Sequence, residues 1–349
     1  MTNSTNPIRV GIAGLGRSGW GIHANAIADE PGLFSMVAVC DPDGGRRDEA
    51  AERFDCMTYT TIDELVGDEA VELVVVASPS QFHVADSIAA MRAGKDVLVE
   101  KPFAPTLAGV DEIIAVERET GRRLSVNQNY RYQPDLLKVK EVVDSGVLGR
   151  IVQMRMTGNG FRRRWDWQTL KEYGGGDLNN KGAHPIDWAI LFFDDPNPEI
   201  FCHMETTPLH AGDAESHVKL IIKPNDGPLI DIELSNTCAY PQDAWLVMGT
   251  QGTLVSTDRR EIRWKYYDPE QVPPLVLDTK PTPDRSYNKE KLPWQEVSFK
   301  PNFNFGMSTL YRDLYASIRE GAPLVITSAS VRRNVEIMER CRQMSSLYS

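Results

Sequence analysis

The sequence predicts an α/β protein, with a doubly wound parallel sheet first and then an α+β region that has a large, open, mainly antiparallel sheet. Up to about residue 125, short apolar runs alternate with helical patterns, which indicates βαβ units. Beyond that point, strand-like runs follow one another with turns or loops between them. The chain has 349 residues, more than one hydrophobic core usually holds. We therefore predict two domains, residues 1–125 and 126–349.

The first part begins with a strand over residues 8–12, a glycine-rich turn and a helix over 20–29. The run 73–77 is rich in valine, as expected for a strand buried on both faces. The other predicted elements are strands 34–40 and 96–100 and helices 45–54, 62–66 and 84–93, the last ending at Gly94. Because ligands of such sheets bind beyond the carboxyl ends of the strands, the loops at those ends should form one crevice.

In the second part, predicted strands cover residues 152–156, 218–222, 229–234 and 245–248. One helix is expected before these strands and another over residues 331–345. The segment 268–292 is rich in proline and charge. It has little apolar surface with which to order itself, so we interpret it as a surface excursion or a lid.

The turn after the first strand places Gly14, Gly16 and Gly19 in G-x-G-x-x-G spacing. Gly14 permits a tight reversal, Gly16 leaves room for a pyrophosphate, and Gly19 lets the next helix pack closely. The free N–H groups at the start of that helix favour bound phosphates. Glycine-rich turns also occur in other proteins, but here a strand precedes the motif and a helix follows it. The pattern predicts a dinucleotide site that includes Arg17 and Ser18.

Asp41 ends the second strand, about 20 residues beyond the glycine turn, where a ribose-binding carboxylate is expected. The alternative is a turn residue before Pro42. A carboxylate accepts hydrogen bonds from a ribose 2′-hydroxyl and repels a 2′-phosphate, so we expect NAD rather than NADP. Arg46 and Arg47 lie close enough in the sequence to neutralise such a phosphate if either turns inward.

Composition restricts the classes of partner. The net charge of −11 argues against nucleic acid or an anionic membrane surface. No apolar run approaches the ~20 residues of a membrane span, and residues 1–7 are polar, so we expect no signal peptide and a cytoplasmic location. The five cysteines are scattered without C-x-x-C pairs. They predict reduced thiols, with neither a metal site nor a disulfide framework.

Three later motifs are more specific than the glycine turn: Glu100-Lys101-Pro102, residues 129–134 (NYRYQP) and residues 174–187 (GGGDLNNKGAHPID). With residues 249–254 and 321–327, they make the chain resemble the Gfo/Idh/MocA family of sugar and polyol oxidoreductases along almost its whole length. The resemblance implies an N-terminal Rossmann domain, a C-terminal open-sheet domain and a homo-oligomer, either a dimer or a tetramer.

Oxidising a secondary alcohol requires a base for the hydroxyl proton and a cation or donor for the developing alkoxide. Lys101, at the end of a central strand, is a candidate for the second role; by position alone, a surface lysine in a salt bridge is the more common case. His184 has an ordinary pKa of about 6.5, which suits a general acid or base, although a lone histidine is more often structural. The resemblance implies that both residues are catalytic.

Asn180, His184 and Asp187 follow one another at helical spacings of four and three, which predicts that they share one face. The related family has an aspartate where this chain has Asn180. An amide does not accept a proton at neutral pH, so we expect Asn180 to orient the reacting hydroxyl by hydrogen bonding. Asp187 either assists His184 in its place or pairs elsewhere.

Further contacts are expected around the same crevice. Ser78, Ser80, His83 and Glu100 follow its strands and are candidates for cofactor binding. Tyr130 and Arg131 match a family segment that lies close to the nicotinamide, and the resemblance makes them candidates for substrate binding. A tryptophan face packs on the apolar side of a sugar, which makes Trp165 a candidate for substrate binding.

Together these observations predict an NAD-dependent oxidoreductase that acts on a secondary hydroxyl of a sugar, glycoside or cyclitol. One alternative keeps NAD bound and uses transient oxidation to cleave or epimerise the sugar without net redox change. A second is a non-catalytic sensor that binds the dinucleotide, which Asn180 leaves open.

Overall fold

The computed structural model describes residues 6–280, 285–303 and 307–348. Most of the polar start of the chain, from which we expect no signal peptide, lies outside the described residues. So do residues 281–284 of the segment interpreted as a surface excursion or lid. In the described remainder of that segment, Leu275, Val276, Leu277 and Tyr287 are almost fully exposed, and the element found is a 3-10 turn at Pro269–Gln271.

The predicted doubly wound sheet is confirmed. Within the described residues it has six parallel strands in the order β3-β2-β1-β4-β5-β6, so the order reverses between β1 and β4. Such a reversal opens a crevice at the carboxyl edge of the sheet. The strands are β1 Ile8–Ala13, β2 Phe34–Cys40, β3 Met57–Tyr59, β4 Leu73–Val76, β5 Asp96–Val99 and β6 Leu124–Val126.

Helices connect these strands and cover the sheet. They are α1 Asn25–Asp29, α2 Gly44–Phe54, α3 Ile62–Gly67, α4 His83–Arg92 and α5 Leu107–Thr120, with a 3-10 turn at Ser80–Phe82. Local capping explains several boundaries: Asp43 accepts hydrogen bonds from the main chain of Gly45 and Arg46, and Thr61 forms a capping box with Glu64. The helix predicted from residue 20 begins as a π-helical turn, Gly19–Ala24, before α1.

The second sheet is mainly antiparallel, as predicted. In the described part of the chain it has eight strands in the order β14-β13-β12-β11-β7-β10-β9-β8, and β7 pairs with β10 in parallel. The strands are β7 Ile151–Asn159, β8 Glu199–Glu205, β9 His217–Lys223, β10 Leu229–Ser235, β11 Trp245–Gly249, β12 Gly252–Ser256, β13 Ile262–Tyr266 and β14 Gln295–Phe299.

Helices and short turns cover one face of this sheet and return to the first. The helices are α6 Pro134–Asp144, α7 Ala183–Ala189, α8 Ser308–Tyr315 and α9 Ser328–Gln343. Two π-helical turns, Leu178–Gly182 before α7 and Ala316–Glu320 after α8, extend these helices. The 3-10 turns are Asn129–Tyr132, Trp167–Thr169, Lys171–Tyr173 and Ser346–Tyr348.

The end of the chain packs against both sheets. Leu310 and Leu314 of α8 and Val331 of α9 belong to the hydrophobic core around the first sheet. Further along α9, Ile337 and Met338 join the core beneath the second sheet. Helix α9 therefore packs against both hydrophobic cores and holds the two halves of the chain together. The predicted boundary at residue 125 falls inside β6, and the division into two domains remains a prediction.

No helix in the described ranges is both long enough and apolar enough to cross a membrane. Among the same residues, no group of three or more His, Cys, Asp or Glu side chains is arranged to hold a metal ion. Cys40, Cys56, Cys202, Cys238 and Cys341 are all free thiols.

Gly19 and Gly21 share one π-helical turn and predict opposite effects of an added methyl group. A Cβ on Gly19 would lie 1.8 Å from the main-chain oxygen of Gly14, whereas one on Gly21 would meet no atom within 4 Å. We expect Gly19→Ala to lower the free energy of unfolding by about 1–3 kcal/mol or more. Gly21→Ala should leave the free energy of unfolding unchanged or raise it by up to ~1 kcal/mol. Urea unfolding measures both; equal stabilities would contradict the close packing at Gly19.

Candidate active site

A cavity of about 760 Å³ lies where the carboxyl edge of the first sheet faces α7 and the second sheet. The structure brings most of the predicted site residues to its wall: Gly14, Gly16, Arg17, Ser18, Asp41, Ser78, Ser80, His83, Glu100, Lys101, Tyr130, Asn180 and His184. Arg131 and Trp165 do not line it. The loops after β1, β2, β4 and β5 therefore meet in one crevice, as expected for a doubly wound sheet.

The glycine turn forms one end of the cavity. Gly14 has a φ of +92°, and a Cβ there would lie 2.7 Å from the main chain of Ala77 and Ser78, so the turn closes tightly against the loop after β4. A Cβ on Gly16 would meet no protein atom within 4 Å, and Gly16 lines the cavity. The space beside Gly16 fits the close approach of a dinucleotide pyrophosphate.

Asp41 is buried beside this turn. Its Oδ2 accepts a hydrogen bond from the main-chain N–H of Leu15 at 2.8 Å, and its Oδ1 accepts one from Asp43 at 2.9 Å. Arg46 Nη1 lies 3.4 Å from Oδ2. A carboxylate can accept about four hydrogen bonds, so these contacts leave capacity for a ribose hydroxyl. Arg47 is held by the main-chain oxygens of Asp41 and Pro42, which leaves Arg46 as the arginine of this pair on the cavity wall.

Glu100 is a buried carboxylate at the end of β5. Its Oε1 contacts His23 Nε2 at 3.0 Å and accepts a hydrogen bond from Asn127 Nδ2 at 2.8 Å; its Oε2 accepts one from the main-chain N–H of Lys101 at 3.0 Å. Burial alone would raise the pKa of Glu100, but the contacts with His23 and Asn127 and the charge of Lys101 outweigh it and lower the pKa to about 2. Glu100 therefore stays ionised beside Lys101.

Lys101 reaches across the cavity towards the helix of the second half. Its Nζ donates a hydrogen bond to the main-chain oxygen of Asn180 at 3.3 Å. No carboxylate among the described residues lies within salt-bridge distance of that nitrogen. Burial lowers the pKa of Lys101, Glu100 opposes this effect, and Arg17 adds to it. The lysine is thus a partly desolvated cation on the cavity wall and not a surface salt bridge.

His184 is held by an aromatic ring on the same wall. It stacks on Tyr130 with the ring centres 3.9 Å apart. Its Nδ1 is buried without a hydrogen-bond partner among the described residues. Desolvation, then the charges of Lys101 and Arg259, lower the pKa of His184 to about 3, although Glu100 partly opposes them. The imidazole is therefore neutral at physiological pH and can accept a proton.

The predicted common face of Asn180, His184 and Asp187 is only partly correct. Asn180 and His184 line the cavity, and the Asn180 amide donates a hydrogen bond to the main-chain oxygen of Gln168 at 3.3 Å. Asp187 is buried away from the cavity and accepts two 2.7 Å hydrogen bonds from Arg131. His184 and Asp187 both lie in the regular helix α7, and the contact with Arg131 takes Asp187 to the side away from the cavity. Asp187 therefore pairs elsewhere and does not assist His184.

The same ion pair explains the position of Arg131, which was expected near the nicotinamide. Besides Asp187, Arg131 Nη1 donates a hydrogen bond to Ser330 Oγ at 2.8 Å. The side chain is buried and links the loop after β6 to α7 and α9. Arg131 thus lies behind the wall to which its neighbour Tyr130 contributes.

Trp165 was expected to contact the substrate, but it is 80% exposed and lies off the wall. Asp166 accepts a hydrogen bond from the main chain of Gln168 and starts a 3-10 turn at Trp167–Thr169. This turn brings Trp167 to the cavity instead, together with Tyr173. Residue type alone does not distinguish Trp165 from Trp167, two positions further along the chain.

Two expected cofactor contacts have structural partners as well. His83 lines the cavity, yet its Nδ1 lies 2.8 Å from the main-chain oxygen of Pro102 and its Nε2 lies 2.9 Å from that of Ser78. Ser78 Oγ in turn donates a hydrogen bond to Asp86 at 2.6 Å. These contacts hold the loops after β4 and β5 against each other.

Arg259 is a wall residue that the sequence did not reveal. It lies between β12 and β13, and its Nε and Nη2 donate hydrogen bonds to Asp135 at 2.6 and 2.8 Å. Its Cζ lies 4.9 Å from the ring centre of Trp188, which also lines the cavity. No motif or spacing marks this arginine, because its partners are distant in the sequence.

Comparison with known proteins agrees with this geometry. A model of an oxidoreductase family with an NAD-binding Rossmann fold, named Gfo/Idh/MocA, matches residues 8–128. The model of the C-terminal domain of the same family matches residues 136–255. An uncharacterised oxidoreductase from Schizosaccharomyces pombe is 30% identical over 71% of this chain and 70% of its own length. An inositol 2-dehydrogenase from Salmonella typhimurium is 28% identical over 48% of each chain.

Solved structures have the same fold. An NAD-binding protein from Listeria innocua superimposes with a TM-score of 0.82 at 21% identity, covering 97% of each chain. The WlbA dehydrogenase from Bordetella pertussis, in complex with NADH and UDP-GlcNAcA, gives a TM-score of 0.77 at 20% identity and covers 96% of each chain.

The neighbourhood of His184 predicts the effect of Asn180→Asp. A carboxylate one turn from His184 favours the imidazolium, so we expect the pKa of His184 to rise from about 3 by roughly 1–3 units. The acid limb of any activity that needs neutral His184 should move to higher pH. NMR titration of the imidazole measures the shift, with Asn180→Ala as the uncharged control; an unchanged His184 pKa in Asn180→Asp would contradict the prediction.

Proposed function

The chain belongs to the Gfo/Idh/MocA family of NAD-binding oxidoreductases, and we propose that it interconverts a secondary hydroxyl and a ketone on a sugar, glycoside or cyclitol. The observation that carries the proposal is that Lys101, Asn180 and His184 share one cavity with the glycine turn and Asp41. A dinucleotide-binding end and a proton-handling end thus face the same space. The inositol 2-dehydrogenase among the relatives supports a substrate with several hydroxyl groups.

Residues at the first end fit a dinucleotide. In this proposal the main chain at Gly14, Gly16, Arg17 and Ser18 holds the pyrophosphate, and Asp41 accepts a ribose hydroxyl. Ser78, Ser80, His83 and Glu100 also line the cavity. When bound, the nicotinamide supplies a carbon that accepts or donates a hydride.

The other end manages the proton and the charge. Neutral His184 has a lone pair for the proton of the reacting hydroxyl, and the ammonium of Lys101 stabilises the oxygen as it becomes negative. The Asn180 amide orients that hydroxyl by hydrogen bonding. Trp167 and Tyr173 offer aromatic faces to the apolar side of a sugar ring.

Association remains our expectation, as a dimer or tetramer. The outer face of the second sheet exposes Phe201 of β8, which supports association through that face. A cytoplasmic location also remains an expectation.

We expect the protein to bind NADH more tightly than NADPH, because the Asp41 carboxylate repels a 2′-phosphate. Asp41→Asn removes the charge and keeps one oxygen acceptor for the glycine turn, while Arg46 stays nearby to bind the phosphate. The variant should shift the ratio of the two dissociation constants towards NADPH by about tenfold or more. Fluorescence titration with both cofactors measures the ratio; tighter binding of NADPH by the unaltered protein would refute the expected preference.

Substitution of the proton-handling residues should separate chemistry from cofactor binding. Lys101→Ala and His184→Ala should each lower turnover by roughly two to four orders of magnitude while the dissociation constant of NAD changes little. NADH formation is measured first with the unaltered protein on a panel of sugars, glycosides and inositols. Near-normal turnover in either variant would remove that residue from the mechanism.

The same panel tests the redox-neutral alternative. If NAD remains with the protein through gel filtration, a nitrophenyl glycoside is cleaved and solvent deuterium enters the sugar without net NADH, the simple dehydrogenase is excluded. Stoichiometric NADH without such exchange supports it.

A further inference from the structure

Arg259 has a main-chain conformation that is unfavourable for a residue with a Cβ. Its φ of +70° lies in the left-handed region, and its N–H donates a hydrogen bond to Ser256 Oγ at 3.1 Å. This conformation turns the side chain inward from the loop between β12 and β13. Its neighbour Arg260 is exposed and lies off the cavity wall. The loop therefore presents one arginine of the pair to the cavity.

Several contacts fix the guanidinium of Arg259. Asp135, which is fully buried, accepts its two hydrogen bonds and a third, at 3.0 Å, from Trp245 Nε1. Gln133 accepts another hydrogen bond from Nη2, and the indole of Trp188 packs against the guanidinium. Nη1 has no acceptor among the residues that the structure describes. A donor held in place on a cavity wall is suited to recognising a ligand.

Three basic side chains line the cavity near Asn180 and His184. The carboxylates that line the cavity, among the described residues, are Asp41 at the glycine turn and Glu100, which His23 and Asn127 hold. Lys101, which follows Glu100 directly, also lines it, as do Lys181 and Arg259. Lys181 is paired with Asp177 and Asn236, and Arg259 is paired with Asp135 but keeps Nη1 without an acceptor among the described residues. The charge of Arg259 extends to His184, whose pKa it helps to lower.

We propose that Arg259 binds an anionic oxygen of the substrate, on a carboxylate or a phosphate group, so that the protein prefers an acidic sugar or cyclitol to its neutral counterpart. The inference rests on the proposed function, because it assumes that the substrate occupies this end of the cavity. Asp135 behind the guanidinium keeps it oriented while the free Nη1 meets the ligand.

Binding to the NADH-loaded protein tests the preference without turnover, because an alcohol and NADH form an unreactive complex. Calorimetry compares D-glucose with D-glucuronate and D-glucose 6-phosphate, and myo-inositol with a myo-inositol monophosphate. We expect one anionic class to bind at least about tenfold more tightly than its neutral counterpart, since a hydrogen bond to a charged group has that effect or more. The carboxylate and phosphate arms show which group is recognised. If no anionic probe is preferred, including the case in which none binds, the inference is overturned.

Substitutions test whether Arg259 is the residue responsible for the preference for anionic ligands. Arg259→Gln should remove it, whereas Arg260→Gln removes the same charge one residue away and should retain it. Because Arg259→Gln leaves Asp135 buried without its ion-pair partner, the double variant Arg259→Gln/Asp135→Asn removes both charges and guards against misfolding. An unchanged ratio in the double variant overturns the inference. If the anionic preference depends on Arg259 but no probe yields NADH from NAD, the proposed function fails and the binding site stands.

Discussion

The buried carboxylate of Glu100 joins segments of this protein that are distant in the sequence. Its partners come from the helix after the glycine turn (His23), the loop after β6 (Asn127) and the main chain of Lys101. His23 continues the network to Tyr311 of α8 at 2.9 Å. A buried charge is tolerated only when hydrogen bonds satisfy it, so these segments must keep their relative positions for Glu100 to stay ionised. The dinucleotide turn, Lys101 and the returning end of the chain thus depend on one anion.

The two ends of the cavity are built by different means. At the glycine turn the main chain makes the site, and the required property is the absence of side chains at Gly14 and Gly16. At the other end packed side chains make it: Tyr130 stacks on His184, and Trp188 stacks on Trp245 with ring centres 5.3 Å apart. Packing at this end fixes the imidazole and keeps it desolvated, which explains why its pKa falls so far below the ordinary value.

The sequence predicted the features that local patterns determine. Strand runs, the glycine turn and the position of Lys101 after β5 depend on neighbouring residues, and the structure has them in the expected order. Contacts across long sequence separations were not predictable: Arg131 pairs with Asp187 56 residues away, and Arg259 pairs with Asp135 124 residues away. Periodicity also assumes a regular helix, and the π-helical turn at Leu178–Gly182 departs from that assumption. The common face predicted for Asp187 is wrong for a different reason, because within the regular helix α7 the contact with Arg131 holds Asp187 away from the cavity.

The charges around Asn180 provide a physical reason for an amide rather than a carboxylate at this position. An aspartate at this position would place a negative charge near Lys101 and His184, where it would raise the pKa of the imidazole and repel an anionic ligand. Asparagine keeps the hydrogen-bonding capacity without the charge. The wall also presents Lys101 and Arg259, and a neutral amide at position 180 adds no negative charge that would repel an anionic substrate from them. If Arg259 binds an anionic oxygen of the substrate as proposed, the neutral Asn180 and the guanidinium of Arg259 serve the same preference for an acidic sugar or cyclitol.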